Sequence, residues 1–343
     1  MPKSANWIKL NVGQYGYYRV NYPEKTWKHF SSLLHADYTV FSPADRASLL
    51  SDAFAMAESG LISYSVPMDM ATYIRSEPHI VPMKTALGKI SSIGGYLGNT
   101  KSIGAFRQYF KKFLNEIYTR FGWDDQGSHM EKKTRGYILS LACSNGNVQC
   151  REKAGGMFHN WIGNGSVYIP PNLRSTVYKY GMAEVGSEES WDILFQRFLE
   201  EKKADEKAKL LSGLASIRDE NILKRFLKIA TDGKTIRLQD LSSTFSRINS
   251  NPLGAPIVWD FIRNEWNVLQ KLYFGKQNSL NSVIRSVVSS FSTQKGLIEV
   301  LKFFQEHPEE GGQSRTRDQT IESIQSNMRW KYQHLAEIQS FLE

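Results

Sequence analysis

The feature that most constrains this chain is a change of period at Ser42. The stretch Ser42-Pro-Ala-Asp-Arg-Ala-Ser-Leu-Leu-Ser-Asp-Ala-Phe54 opens a helix with the residues that helix starts require. Ser42 serves as N-cap and Pro43 fits the first turn, where its missing N–H costs nothing. Asp45 stands where an N3 carboxylate reaches back to close a capping box beside the positive end of the helix dipole. Ala47, Leu50, Phe54 and Ala57 then share one face, and Gly60 offers a stop.

Before Ser42, residues 6 to 22 alternate in the manner of strands on either side of the Gly13 to Gly16 turn, which predicts one β-hairpin. Two strands alone are marginal in water, so the hairpin must lean on something else. From Glu24 onward helical periods follow one another through short turns, among them Ser128 to Cys143, Asn172 to Val185, Leu238 to Ile248 and Thr316 to Leu342. Boxes of the same type open several of them: Ser128 with Glu131, Ser216 with Asp219, Thr316 with Gln319. The predicted fold class is mainly α. It is an irregular HEAT-like α-solenoid, a curved helical array, over residues 24–343, preceded by the hairpin in residues 1–23.

Composition narrows the function more by exclusion. The formal charge of +9 raises the question of nucleic acid, but the excess reads as dispersed, with Lys111-Lys112, Lys132-Lys133 and Lys202-Lys203 on solvated helix faces. No nucleic-acid partner is expected. No apolar run approaches the roughly 18 residues of a membrane span, and the first thirty residues lack a basic-then-apolar export pattern, so any signal or anchor is expected to lie outside these 343 residues. No two of the seven histidines stand at i and i+4 with a Glu beside the first. Trp123-Asp-Asp-Gln-Gly-Ser-His129 gathers two carboxylates and an imidazole, yet the Ser128 and Glu131 box explains it as a turn entering a helix. This chain is expected to bind no metal. Tryptophans such as Trp161, Trp191, Trp259, Trp266 and Trp330 recur beside Leu, Ile and Phe as core residues.

The two cysteines, Cys143 and Cys150, enclose Ser-Asn-Gly-Asn-Val-Gln. That spacing fits a small local disulfide in an oxidising compartment, or a pair of reduced and buried thiols. Asn164-Gly-Ser166 is a glycosylation sequon in a Gly-rich loop before Pro170-Pro171. Taken with a disulfide, it points to the secretory pathway.

The wording of the chain also carries a resemblance. Trp7-Ile-Lys-Leu-Asn-Val-Gly-Gln-Tyr-Gly-Tyr-Tyr-Arg-Val-Asn-Tyr22 followed by Ser42-Pro-Ala-Asp-Arg-Ala47, then Tyr178-Lys-Tyr-Gly-Met182, Asn251-Pro-Leu-Gly254 with Trp259-Asp-Phe261, and Phe291-Ser-Thr293, resembles the M1 family of zinc metallo-aminopeptidases. Its membrane-bound glutamyl and alanyl members and their endoplasmic-reticulum relatives are the most similar in wording. The match is to the non-catalytic C-terminal part. The family's His-Glu-x-x-His helix and Gly-x-Met-Glu-Asn loop do not occur in this sequence. The resemblance implies that the hairpin is the last of a β-sandwich, that zinc belongs to the parent enzyme, and that Cys143 and Cys150 are paired. It further implies a parent at the extracellular face of the plasma membrane or in the endoplasmic reticulum lumen, acting on peptides, and it allows a homodimer of that parent. In glutamyl-specific relatives an arginine on the matching helix faces the active-site cavity. Counting back from Trp259 and Gly254 puts that position at Ser246, with Arg247 one residue on. The expected function is therefore that of a C-terminal wall closing a peptide chamber, inactive on its own. The alternative is a free-standing helical scaffold for protein partners.

Overall fold

The computed structural model describes residues 7–98, 100–163, 165, 167–273, 277–308 and 315–343. Among the described residues the chain is mainly helical and contains no strand. It forms two compact units. One takes residues up to Arg120 together with Arg329–Glu343, and the other is Phe121–Met328.

In the first unit, α1 is Glu24–Asp37, α2 Pro43–Glu58, α3 Ser65–Ala71, α4 Ile80–Tyr96 and α5 Ile103–Phe121, whose last residue lies beyond the unit's edge. Helix α2 starts and stops for the reasons its sequence gives. Ser42 Oγ accepts the Asp45 N–H at 3.1 Å, and Gly60, at φ +73°, turns the chain so that its N–H and that of Leu61 reach the Ala57 and Met56 carbonyls. The return arm of the expected capping box is not made. The Asp45 carboxylate takes the Ser42 hydroxyl at 2.7 Å, the Gly13 N–H at 2.8 Å and Lys9 Nζ at 2.7 Å instead.

That substitution explains the main departure from expectation. The hairpin predicted over residues 6 to 22 is not formed in the described residues 7–22, which run irregularly through a 3-10 turn at Val12–Gln14. A ladder needs its N–H groups free for a partner strand. Here the N–H groups of Gly13 and Val20 go to Asp45 and Asp52 of α2, that of Leu10 to the Tyr22 hydroxyl, and that of Gly16 to the Asn11 side chain. Asn11, Gly13 and Gln14 all have positive φ, which breaks strand geometry at the turn.

The core of this unit is aromatic and aliphatic, with Trp27, Phe30 and Leu34 of α1 and Leu50, Ala53 and Ala57 of α2 fully or nearly fully buried. Arg46 is buried with them, and its Nε and Nη2 donate to the two oxygens of fully buried Glu77 at 2.7 and 2.9 Å, while Nη1 donates to the Phe41 carbonyl at 2.6 Å.

The second unit contains α6 His129–Ser144, α7 Val148–Gly163, α8 Arg174–Val185, α9 Glu188–Glu200, α10 Ala204–Leu214, α11 Glu220–Ala230, α12 Leu238–Asn249, α13 Gly254–Asn264, α14 Trp266–Leu272, α15 Gln277–Val288 and α16 Gln294–Glu306. Helix α17, Arg315–Leu342, begins here and ends in the first unit. Helices α8, α10, α12 and α15 pack side by side in one row. A second row backs them: α7 meets α9, α11 meets α13, Trp191 of α9 meets Phe226 of α11, and Trp259 of α13 meets Phe303 of α16. Serine boxes begin α6 and α9. The two other expected boxes fall elsewhere. Asp219 itself caps α11 while Ser216 bonds back to the Ser212 carbonyl, and Thr316 lies inside α17.

The shared motifs are joints of this array. Asn251 Nδ2 donates to the Ala215 and Ile217 carbonyls at 3.0 and 2.8 Å, and Asn327 repeats the device on the Ser289 and Phe291 carbonyls. A side chain at Gly254 would meet the Ile248 carbonyl oxygen at 2.0 Å, so the turn into α13 admits only glycine. Gly181 likewise lets α8 lie against Phe158 of α7.

Candidate functional site

Helix α12 buries Leu241, Thr244, Phe245 and Ile248, which leaves the stripe through Ser242, Ser243, Ser246, Arg247 and Ser250 turned away from the core. Ser246 is exposed and Arg247 half-buried. The Arg247 Nε donates to Ser212 Oγ of α10 at 3.0 Å, and Nη1 donates to the Ser243 carbonyl one turn back at 3.0 Å. No carboxylate among the described residues comes within ion-pair distance of it. Burial pulls its pKa below the ordinary guanidinium value, and the field of Asp240 offsets part of that. The structure thus brings both predicted residues to one face, with the guanidinium held by neutral acceptors and its charge unspent.

Residues that sequence reasoning missed complete the neighbourhood. Ser242 Oγ donates to the Ser282 carbonyl at 3.4 Å, Ser286 Oγ to the Ser242 carbonyl at 3.4 Å and Asn249 Nδ2 to the Val287 carbonyl at 3.1 Å, so α12 and α15 run side by side in the same direction. Arg285 is exposed and donates to Gln319 Oε1 at 2.7 Å. A cleft of about 440 Å³ opens at the start of α12, lined by Arg237, Gln239, Ser242, Tyr273, Ser279 and Ser282. Only the recurrence of the helices α8, α10, α12 and α15, which start thirty to forty residues apart, could have pointed to these groups, and that interval is not regular in the sequence. Chemically the face offers N–H and O–H donors and cations. Among its described residues no general base stands beside a nucleophile.

Elsewhere the candidates resolve into structure. Cys143 and Cys150 are joined by a disulfide between the end of α6 and the start of α7, both fully buried, with the Cys150 N–H donating to Asn147 Oδ1. Asp125 is spent on Arg135 at 3.6 Å and Asn172 at 3.1 Å, and no cluster of His, Cys, Asp and Glu suited to a metal occurs among the described residues. Trp191, Trp259, Trp266 and Trp330 are buried, while half-exposed Trp161 stacks on Tyr178 under the Arg197 guanidinium. Asn164 lies outside the described residues. No described helix is long and apolar enough to cross a membrane.

Comparison with known proteins decides what this array is. Residues 7–326 match the ERAP1-like C-terminal domain. The chain belongs to that family. Among its relatives is glutamyl aminopeptidase of Homo sapiens, 32% identical over 334 residues, which cover 97% of this chain and 35% of the relative. Glutamyl aminopeptidase of Bos taurus is 32% identical over 328 residues, 95% of this chain and 34% of the relative. Endoplasmic reticulum aminopeptidase 1 of Mus musculus is 30% identical over 347 residues, 100% of this chain and 37% of the relative. The chain therefore spans about a third of the length of the curated relatives it matches. For an ERAP1-like C-terminal domain, the matched stretch includes both α12 and the irregular segment before α1.

Proposed function

We propose that this chain is the non-catalytic C-terminal part of an M1 zinc aminopeptidase, and that the row formed by α8, α10, α12 and α15 is the inner wall of an irregular HEAT-like array closing a peptide chamber. The single observation that carries this reading is Arg247, a half-buried guanidinium on an outward-turned helix face with no carboxylate partner among the described residues. A half-desolvated cation without an anion is a poor structural element and a good ligand contact. Zinc and the general base belong to the preceding part of the parent protein, and this chain alone would not hydrolyse peptides.

Residues 1–23 would then be the end of the preceding β-sandwich, separate from the helical domain at 24–343. The side chains of Tyr15 and Tyr17 are fully exposed, which fits a surface that the preceding domain covers. The buried disulfide and the sequon at Asn164, where a carbohydrate chain would be attached, fit maturation in the secretory pathway.

The test uses the full-length protein carrying this domain. Arg247→Ala is compared with the unaltered enzyme on peptides bearing acidic and neutral side chains. A charge-assisted contact gives a selective loss on acidic peptides of about 10-fold or more. Equal changes on both, or none, remove Arg247 from the chamber.

A further inference from the structure

Six of the nine net positive charges of the chain come from one short region. Residues 78–120 hold seven Lys and Arg and a single acid, Glu116. This region is the helical hairpin of α4 and α5. Gly94 packs on Phe106 beside the connecting loop, and Arg120 at the far end donates to the Glu77 carbonyl just before α4. An excess that looks dispersed along the sequence is therefore gathered on one element.

Five of the seven cations form no ion pair within the fold among the described residues: Lys101, Arg107, Lys111 and Lys112, which are exposed, and half-buried Lys89. The one acid, Glu116, is turned to Arg75 at 3.8 Å. Arg107 and Lys111 lie four residues apart on one stripe of α5, about 6 Å along the axis. Exposed Gln108, Asn115 and Thr119 complete that side with uncharged hydrogen-bonding groups. The opposite face, through Phe106, Phe110, Phe113 and Ile117, is buried.

We infer that the outer face of the α4–α5 hairpin is a docking surface for a linear sulfated polysaccharide. What the face lacks selects among polyanions. Among the described residues of 78–120, the one large apolar side chain that is exposed is Val81 at the start of α4, and none on α5 is. A bilayer-binding helix needs an apolar side to insert, and here that side is the core. Single-stranded nucleic acid is held by aromatic platforms, and none is offered. What remains is closely spaced cations interleaved with amides and a hydroxyl, which suits a flexible chain of sulfates, carboxylates and hydroxyls. This inference does not depend on the aminopeptidase reading.

The experiment titrates the full 343-residue chain with heparin oligosaccharides at about 0.15 M salt. The triple variant Arg107→Gln, Lys111→Gln, Lys112→Gln should weaken binding on the order of 100-fold, at about 0.7 of a decade per cation. A control triple, Lys202→Gln, Lys203→Gln, Lys228→Gln, removes the same charge from exposed sites on the other unit and should change affinity less than about 3-fold if the site is local. The single variant Lys111→Glu, at an exposed position, gives the same direction without a triple change. Duplex DNA and anionic phospholipid vesicles are titrated in parallel. Equal losses in both triples would reduce the effect to net charge and overturn the proposal. Binding of DNA or vesicles as tight as heparin, with the same sensitivity to the α5 variants, would overturn the assignment of polysaccharide.

Discussion

Arg46 of α2 and Arg247 of α12 are two arginines in helices of similar length, and the surroundings of each use the guanidinium in opposite ways. Around Arg46 every direction is closed: two bonds to Glu77, one to the Phe41 carbonyl, and Tyr73 and the His79 N–H bonding the same carboxylate. Around Arg247 the acceptors are one hydroxyl and one carbonyl, and the charge has no counterion. Other arginines serve the fold in a third way, through carbonyls. Arg135, Arg197 and Arg317 each donate to carbonyls at the end of another helix, Phe121, Trp161 with Ile162, and Phe304 with His307. Such bonds satisfy terminal carbonyls and oppose the negative end of the dipole. A basic composition therefore serves the joints of a helical stack, and the cations left over are the informative ones.

The largest effect should come from opening the closed site. Arg46→Met leaves Glu77 buried and charged, which is expected to cost about 3–5 kcal/mol. Hydrogen exchange across α2 reads this within its own unit, and the double variant with Glu77→Leu should recover part of the loss. A cost below about 1 kcal/mol would erase the contrast with Arg247.

The covalent joint should come next. Reducing the Cys143–Cys150 bond releases a loop of eight residues, so the chain-entropy estimate is about 2–3 kcal/mol. Urea unfolding of the second unit with and without reductant measures it. Loss confined to the first unit would show that the cross-link does not stabilise the α6–α7 joint.

A smaller, pH-dependent effect is expected where residues 7–22 dock on α2. Burial alone would raise the Asp45 pKa, but the bonds from Lys9, Ser42 and the Gly13 N–H outweigh it and hold it below the ordinary value. A depressed carboxylate contributes stability in full above the unfolded pKa of about 3.9 and loses it as pH falls through the lower folded value. Exchange at the Gly13 amide should accelerate below about pH 4, and Asp45→Asn should produce about 1.5 kcal/mol of the same loosening at neutral pH. An unchanged Gly13 amide in that variant would show that the carboxylate does not hold the segment.

What was legible in the sequence follows from the range of each cause. The helices were readable because caps and 3.6-residue periods are local: Ser42, Ser128 and Thr293 sit where their hydroxyls meet N–H groups three residues on. The hairpin misled because the alternation at 6 to 22 is local, while the acceptors that take its N–H groups, Asp45 and Asp52, lie about thirty residues downstream. Ser246 and Arg247 were found through resemblance. Their setting was not, since Ser212 stands 35 residues from Arg247 and the register of α12 on α15 depends on irregular turns between them. The basic hairpin failed for another reason. Its lysines are spaced by the apolar residues of two amphipathic helices, and only folding removes those residues from the surface.

The smallest effect on folding should come from Arg247→Ala, and its smallness is the point. The variant gives up two neutral hydrogen bonds and the packing of a half-buried stem, while removing a cation whose desolvation opposed folding. These terms have opposite signs, so the net change in unfolding free energy should stay below about 1 kcal/mol. Arg247→Lys should be equally mild for stability but should not restore ligand contact, because an ammonium cannot present the planar fork. A stability loss approaching that of Arg46→Met would make Arg247 another joint of the stack. A near-neutral variant that loses selectivity for acidic peptides in the full-length protein would separate the two arginines completely: one holds the fold, and the other faces what the fold encloses.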